Sequence, residues 1–290
     1  MRFLLIIIEC AIITSVLFLL SCSVQTPVAH PARFEFAFCS DIHFACNHGD
    51  EQLKRNIDTW RRQLASVDFL VVAGDLTCDG AEDEFIQLKT LFKALKKPVY
   101  TLPGNHDLML ENVEDDRLYR TYFPKGFGCS YFEHHGIGLL FLDISDGGKA
   151  SVTIKEDVGK WLVKKMSRVS IATPIIVISH FPLHPSTPEY ATRKSDRIFS
   201  VLDQKNVIGY LSGHYHAWWS MERGGVPFYT VGSLLPATNN HDTSDKHGYY
   251  KVAVMGNEIK VEYVELVDPQ QMIEQEKSKD TEDGEDFFKE

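Results

Sequence analysis

Asp68-Phe69-Leu70-Val71-Val72-Ala73-Gly74-Asp75 is the stretch from which the fold can be read. Its apolar run is unbroken, the mark of a strand covered on both faces rather than one. It stops at a Gly-Asp pair. An open α/β sheet keeps its ligands at the carboxyl ends of such strands. Working outward, the same arrangement recurs. Residues 33–39 alternate as a strand and lead to Asp41-Ile42-His43. Residues 98–102 deliver Pro103-Gly104-Asn105-His106-Asp107, 174–179 deliver His180, and 207–212 deliver Gly213-His214-Tyr215-His216. Together the segments supply Asp, Asn and His and no thiolate. Mixed carboxylate, amide and imidazole donors suit ions such as Mn, Fe or Zn. One Asp-x-His motif is weak evidence. The ordered set, at strand ends, is strong evidence.

Between the strands the apolar spacing turns helical. Residues 50–64 carry Leu53, Ile57, Trp60 and Leu64, and residues 81–95 carry Phe85, Leu88, Leu91, Phe92 and Leu95. Helices are also expected over 152–168 and 193–202, with a proline-marked loop over 181–189. Hairpins are expected across His135-Gly136, Gly224-Gly225 and Gly256-Asn257. Alternating helices and strands followed by hairpins predict an α/β (α+β) chain with mixed rather than purely parallel sheets. No internal repeat is visible.

The 290-residue chain is long enough for one large domain with a full core. Its formal charge of −10 argues against a nucleic-acid duplex as partner, which would need a basic stripe. Residues 269–290 are rich in Glu, Asp and Lys and poor in apolar side chains, so an acidic disordered tail is expected there. Residues 1–21 hold Arg2 and a long apolar run and read as a signal peptide. Leu19-Leu20-Ser21-Cys22 resembles the bacterial lipoprotein box, which predicts an exported, membrane-anchored protein lipidated at Cys22 in a bacterial cell envelope. An ordinary cleaved signal and an uncleaved anchor are the other readings. Residues 22–33 read as a linker and 34–268 as the domain. An exported chain permits disulfides. Cys46 and Cys78 both follow ligand motifs, and either pair or stay free thiols.

The ordered pattern D-x-H, G-D, G-N-H-D, H, G-H-x-H resembles the calcineurin-like metallophosphoesterase superfamily, from about Phe34 to about Pro236. Residues 74–80 (GDLTCDG) and 211–216 (LSGHYH) look most like its class III cyclic-nucleotide phosphodiesterase branch. The resemblance implies two mixed β-sheets packed as a sandwich flanked by helices. It implies a dinuclear site in which Asp41, His43 and His216 hold one divalent or trivalent ion. Asn105, His180 and His214 would hold the second, with Asp75 bridging. A bridging carboxylate is sensible, because two cations about 3.5–4 Å apart repel and need a shared anion. Such a pair can activate a water and stabilise phosphoryl oxygens. The family's non-ligand His corresponds to His106, which would protonate the leaving group, with Asp107 orienting its ring. The implied activity is hydrolysis of a small-molecule phosphoester by metal-bound hydroxide, phosphodiesters favoured. Phosphomonoester hydrolysis and a non-catalytic scaffold are the alternatives. Cys78 stands where purple acid phosphatases carry an iron-binding Tyr, so an iron-tyrosinate site is not expected.

Gly74, Gly104 and Gly213 each precede a ligand, where the backbone must bend sharply or pass close to the site. His184 shares a loop with His180 and is a candidate for lining the substrate pocket. Tyr215, Trp218 and Trp219 suit either base stacking or core packing. His48, His134, His135, His241 and His247 lie in polar, turn-like surroundings and read as solvated.

Overall fold

The computed structural model describes residues 33–110, 113–184, 192–236 and 238–266. The segments read as a signal peptide, a linker up to residue 32 and an acidic tail, and part of the loop after His180, lie outside the described residues. The unbroken apolar run forms β2 (Phe69–Ala73), every residue of which is buried. It lies between β1 (Arg33–Cys39) and β3 (Val99–Leu102), parallel to both. Beyond β1 the chain returns antiparallel as β12 (Gly248–Met255) and β13 (Glu258–Glu265), completing a five-stranded mixed sheet.

The second sheet has six strands. Four run parallel in the order β11 (Val226–Thr230), β9 (Val207–Ser212), β8 (Ile175–Ser179) and β7 (Ile137–Leu142). Antiparallel β10 (Trp219–Arg223) and β6 (Ser130–His134) close its edges. A small pair, β4 (Met109–Leu110) with β5 (Val113–Glu114), follows the third ligand segment, Gly104–Asp107.

The period-2 geometry of strands sorts side chains into layers. Phe36, Phe38, Phe69, Val71 and Ala73 point to one face and meet Leu139, Phe141, Ile176 and Ile178 of the other sheet. Their neighbours Ala37, Cys39, Leu70 and Val72 point the opposite way, onto Leu53 and Trp60 of α1 (Gly49–Gln63) and Phe85 and Leu88 of α2 (Glu82–Ala94). Buried Tyr119 of α3 (Arg117–Tyr122) joins that layer. On the far side, Leu140, Leu142 and Val177 pack on Leu162 of α4 (Glu156–Met166) and Ile198 of α5 (Asp196–Leu202). The result is two mixed sheets face to face, each covered by helices.

Three local departures from the sequence reading have physical causes. α4 starts at Glu156 rather than near 152, and α5 at Asp196 rather than 193. Thr153 and Arg193 form a bridge in which Ile154 N donates to Arg193 O and Arg193 N to Val152 O. Both segments are therefore extended where a helix was expected. The short α3 was not anticipated. Its two turns are held by burial of Tyr119, whose hydroxyl donates to Thr101 Oγ1 at 2.9 Å.

Candidate metal centre

The pairing of β1 with β2 continues past the strand ends into the ligand loops. Asp41 N donates to Gly74 O, His43 N to Asp75 O, Phe44 N to Leu76 O, and Cys78 N to Phe44 O, each at 3.0 Å. This ladder holds two ligand segments in register while their backbones leave ordinary conformations. Asp41, His43, Asp75, His214 and His216 all have φ between 43 and 63°. Left-handed φ is uncommon outside Gly, and residues held there cluster at functional sites.

The glycines act by close approach. A Cβ on Gly104 would overlap the backbone nitrogen and carboxylate of Asp75, and one on Gly213 would overlap Ser40. Gly74 combines φ +92° with contact to the His180 ring.

The structure brings the sequence-expected residues together at the strand ends. Asp41, His43, Asp75 and His216 present one donor atom each within 4.8 Å of one another. Asp75, His180 and His214 form a second such group, so Asp75 is shared. Asp75 Oδ2 lies 3.7 Å from His43 Nε2 and 3.4 Å from His180 Nε2. Its Oδ1 accepts from His106 N at 2.9 Å. Asn105 is buried beside them in the Gly104–Asp107 loop.

The donor set can be tested for its fit to cations. Asn105 Oδ1 is buried without a hydrogen-bond partner among the described residues, and His180 Nε2 is buried facing Asp75 Oδ2 at 3.4 Å. A buried oxygen or nitrogen left unpaired costs about 1–3 kcal/mol. His43 Nε2 and His216 Nε2 face one another at 3.0 Å, and His216 Nε2 is 3.2 Å from Asp41 Oδ1. Converging lone pairs and carboxylates of this kind suit metal ions. The outer contacts agree. His180 donates Nδ1–H to Ala73 O at 2.7 Å, and His214 donates Nε2–H to Ala150 O at 2.7 Å. A backbone carbonyl on one ring nitrogen fixes the tautomer and frees the other nitrogen to ligate.

The electrostatics point the same way. Burial alone would push the Asp75 carboxyl up, but His180 outweighs it and holds the group well below its usual range. Asp41 is likewise buried, and His216 pulls it down. In return His180, despite burial, is raised to about 9 by Asp75, and His216 is raised by Asp41. Burial lowers His43 and His214 to about 4. Two carboxylates thus draw protons onto two histidines, and bound cations would replace those protons.

His106 and Asp107 occupy different environments from each other. The His106 ring is 4.6 Å from that of His43, between centroids. The expected contact of Asp107 with that ring is replaced. His106 donates Nδ1–H to Cys78 O at 2.7 Å. Asp107 instead accepts from Gly104 N, Thr77 N and Thr77 Oγ1, each at 2.9 Å. It ties the loop carrying Asn105 to the loop carrying Asp75, and so acts on loop position rather than on the ring. Burial, with Asp75 nearby, raises its carboxyl to about 6.

Cys46 and Cys78 are joined in a disulfide beside the site, while Cys39 and Cys129 are free. His241, read as a solvated turn residue, reaches the rim, its ring 5.7 Å from that of His216. Trp218 packs against Tyr250 and Tyr263 and donates Nε1–H to Lys246 O, which is a packing role. His184 is buried against Phe228 and Trp219.

A sandwich of two mixed sheets with clustered Asp, Asn and His at its strand ends defines a metallophosphoesterase. The calcineurin-like phosphoesterase family model matches residues 34–218, and the chain belongs to that family. Its relatives include a probable cyclic nucleotide phosphodiesterase of Fibrobacter succinogenes, 26% identical, covering 67% of this chain and 77% of that protein. Another is a probable glycerophosphodiester phosphodiesterase of Arcobacter nitrofigilis, 26% identical over 51% of this chain and 56% of the relative. Among solved structures, purple acid phosphatase from yellow lupin superposes with a TM-score of 0.57 at 14% identity, covering 81% of this chain and 52% of that one. GAP50 of Plasmodium gives 0.55 at 15% identity, covering 81% and 85%. The chain is a metal-dependent phosphohydrolase.

Proposed function

We propose that the protein hydrolyses small-molecule phosphodiesters at a site holding two ions of the Mn, Fe or Zn type. The observation that carries this is the pair of donor groups sharing Asp75. Asp41, His43, His216 and Asp75 would hold one ion, and Asp75, Asn105, His180 and His214 the other. When bound, the ions supply charge neutralisation for the phosphoryl group and an activated water.

The chain's own residues do the rest. Asp75 anchors the His106 backbone through Oδ1. Cys78 O occupies His106 Nδ1, which leaves Nε2 as the ring position that holds a proton for the departing alkoxide. Asp107 keeps Asn105 against Asp75 through the Gly104 and Thr77 contacts. The preference for diesters draws support from the names of the two phosphodiesterase relatives. The test is hydrolysis of bis-nitrophenyl phosphate beside nitrophenyl phosphate, with each metal added in turn. Faster turnover of the diester is expected. Faster turnover of the monoester would make the protein a phosphatase with the same site.

We further propose that residues 34–268 form the catalytic domain of an exported lipoprotein anchored through Cys22. The Cys46–Cys78 disulfide favours an oxidising compartment. A palmitate analogue should label the wild type and not Cys22→Ala; equal labelling would refute the anchor.

A further inference from the structure

The hydrogen-bond acceptor that orients His106 is a backbone carbonyl, so its position depends wholly on what holds the loop after Asp75. That loop is held in three ways at Cys78 to Ala81. Cys78 Sγ is bonded to Cys46, in the loop that follows the first ligand motif, with the Cα atoms 5.2 Å apart. Cys78 N donates to Phe44 O at 3.0 Å and to Glu84 Oε1 at 3.2 Å. Glu84 Oε2 accepts from Asp79 N at 3.2 Å and from Ala81 N at 3.0 Å.

Glu84 is only 4% exposed, which is unusual for a carboxylate with no cationic partner among the described residues. It is the third residue of α2, and by accepting from Ala81 N it caps the helix start from within the first turn. Capping alone needs only the Ala81 contact. The additional bonds reach two and three residues further back, to Asp79 N, which shares a peptide group with the Cys78 carbonyl, and to Cys78 N in the peptide before it. Gly80, at φ +69°, lies so close to Met109 O that a Cβ there would overlap it. The 78–80 loop therefore lies flush on the loop that carries His106. The disulfide and the buried Glu84 carboxylate converge on the peptide whose carbonyl His106 touches, next to Thr77, which Asp107 holds.

We propose that Glu84 and the Cys46–Cys78 disulfide are positioning groups for His106, and that they set how well the enzyme expels poor leaving groups. The inference rests on the reading of His106 as proton donor. A general acid contributes about 10²–10⁴-fold, and misplacing a catalytic group by about 1 Å can cost 10²-fold. The contribution is large for an alkoxide leaving group and small for a nitrophenolate, which departs without a proton. Loosening the Cys78 carbonyl should therefore slow alkyl diesters by roughly 10–10²-fold and leave aryl diesters within about threefold. Simple loss of folded enzyme would slow both alike.

The experiment compares kcat on an alkyl and an aryl phosphodiester, with metal content measured in parallel. It uses the full chain in four states: wild type, wild type treated with a water-soluble phosphine, Cys46→Ser/Cys78→Ser, and Glu84→Gln. The phosphine attacks one sulfur and breaks the S–S bond, and water then supplies the oxygen of the phosphine oxide and the two protons of the two thiols. This route needs no substitution, so it serves if the variants fold poorly. His106→Ala is run with and without the phosphine. The expected result is a selective loss of alkyl turnover in every altered state, with the metals retained and no further loss on reducing His106→Ala. A selective loss in His106→Ala, with reduction and Glu84→Gln slowing both esters equally or neither, would overturn the positioning role and leave the proton-donor reading standing. A His106→Ala that slows both esters equally would overturn the proton-donor reading and the inference with it. The His106 Nδ1–H proton resonance, assigned by its absence in His106→Ala, gives a readout independent of turnover. It should broaden or shift on reduction if the carbonyl moves, and stay unchanged if the disulfide does not position it.

Discussion

At the residue scale, the site in the metal-free protein balances its own charge. Asp75 holds His180 protonated, with a pKa raised to about 9, even though burial opposes it. An imidazole must be neutral to ligate, so binding an ion at His180 expels that proton. The sign follows directly. Below about 9 the proton competes with the metal, so affinity should rise by about tenfold per pH unit towards that value, from this one group. Calorimetric titration of the stripped protein near neutral pH, in buffers of different ionisation enthalpy, should show release of at least one proton. Binding with no proton release would mean that His180 is already neutral before the metal binds.

The seven candidate ligand residues stood out as an ordered set at strand ends, and the family resemblance assigned them, lone His180 included. The partner of His106 was not legible. Asp107 is its neighbour in sequence, and the carboxylate was the obvious candidate, yet the acceptor is a backbone carbonyl. A carbonyl belongs to every residue and leaves no mark in a sequence. The same holds for Ala150, whose carbonyl orients His214. His241 was missed for another reason. It lies 25 residues after His216, beyond a hairpin whose return path brings His241 N onto His216 O.

At the scale of the element, the ligand loops work because strand ends hold them. The β1–β2 ladder runs on through Phe44 and Cys78, and that continuity supports left-handed backbone at Asp41, His43 and Asp75. Strands were legible from their apolar runs, and β9 fell on its expected residues, 207–212. The starts of α4 and α5 were not, because a long-range bridge between Thr153 and Arg193 competes with local helix preference. Two glycines separate site geometry from stability. Gly104→Ala sets a Cβ against the Asp75 backbone, which cannot yield as a flexible side chain would. Activity should fall on the order of 10²-fold, with folding largely retained. Gly159→Ala, inside α4 with open space at the Cβ position, should keep full activity and raise stability by about 1 kcal/mol. Thermal melts and turnover of both variants check this. Equal activities would mean that Gly104 does not shape the site.

At the scale of the whole molecule, the two sheets bring together ligands that lie far apart in sequence. The five-stranded sheet presents Asp41, Asp75 and Asn105, and the six-stranded sheet presents His180, His214 and His216. Neither sheet completes a donor group alone, so the packed interface of Phe36, Phe38 and Val71 against Phe141 and Ile178 is what assembles the centre. Mixed sheets were legible from the late hairpins; their face-to-face packing came from the family resemblance. Among the described residues no helix is long and apolar enough to cross a membrane. The central claim is that Asp75 bridges two ions that work together. Its most direct test is turnover of a phosphodiester against equivalents of metal added to the stripped protein, with bound metal counted and Asp75→Asn in parallel. The account predicts that activity saturates at two ions per chain, and that Asp75→Asn loses both tight binding and turnover. Full activity at one ion per chain, or an active Asp75→Asn, would contradict it.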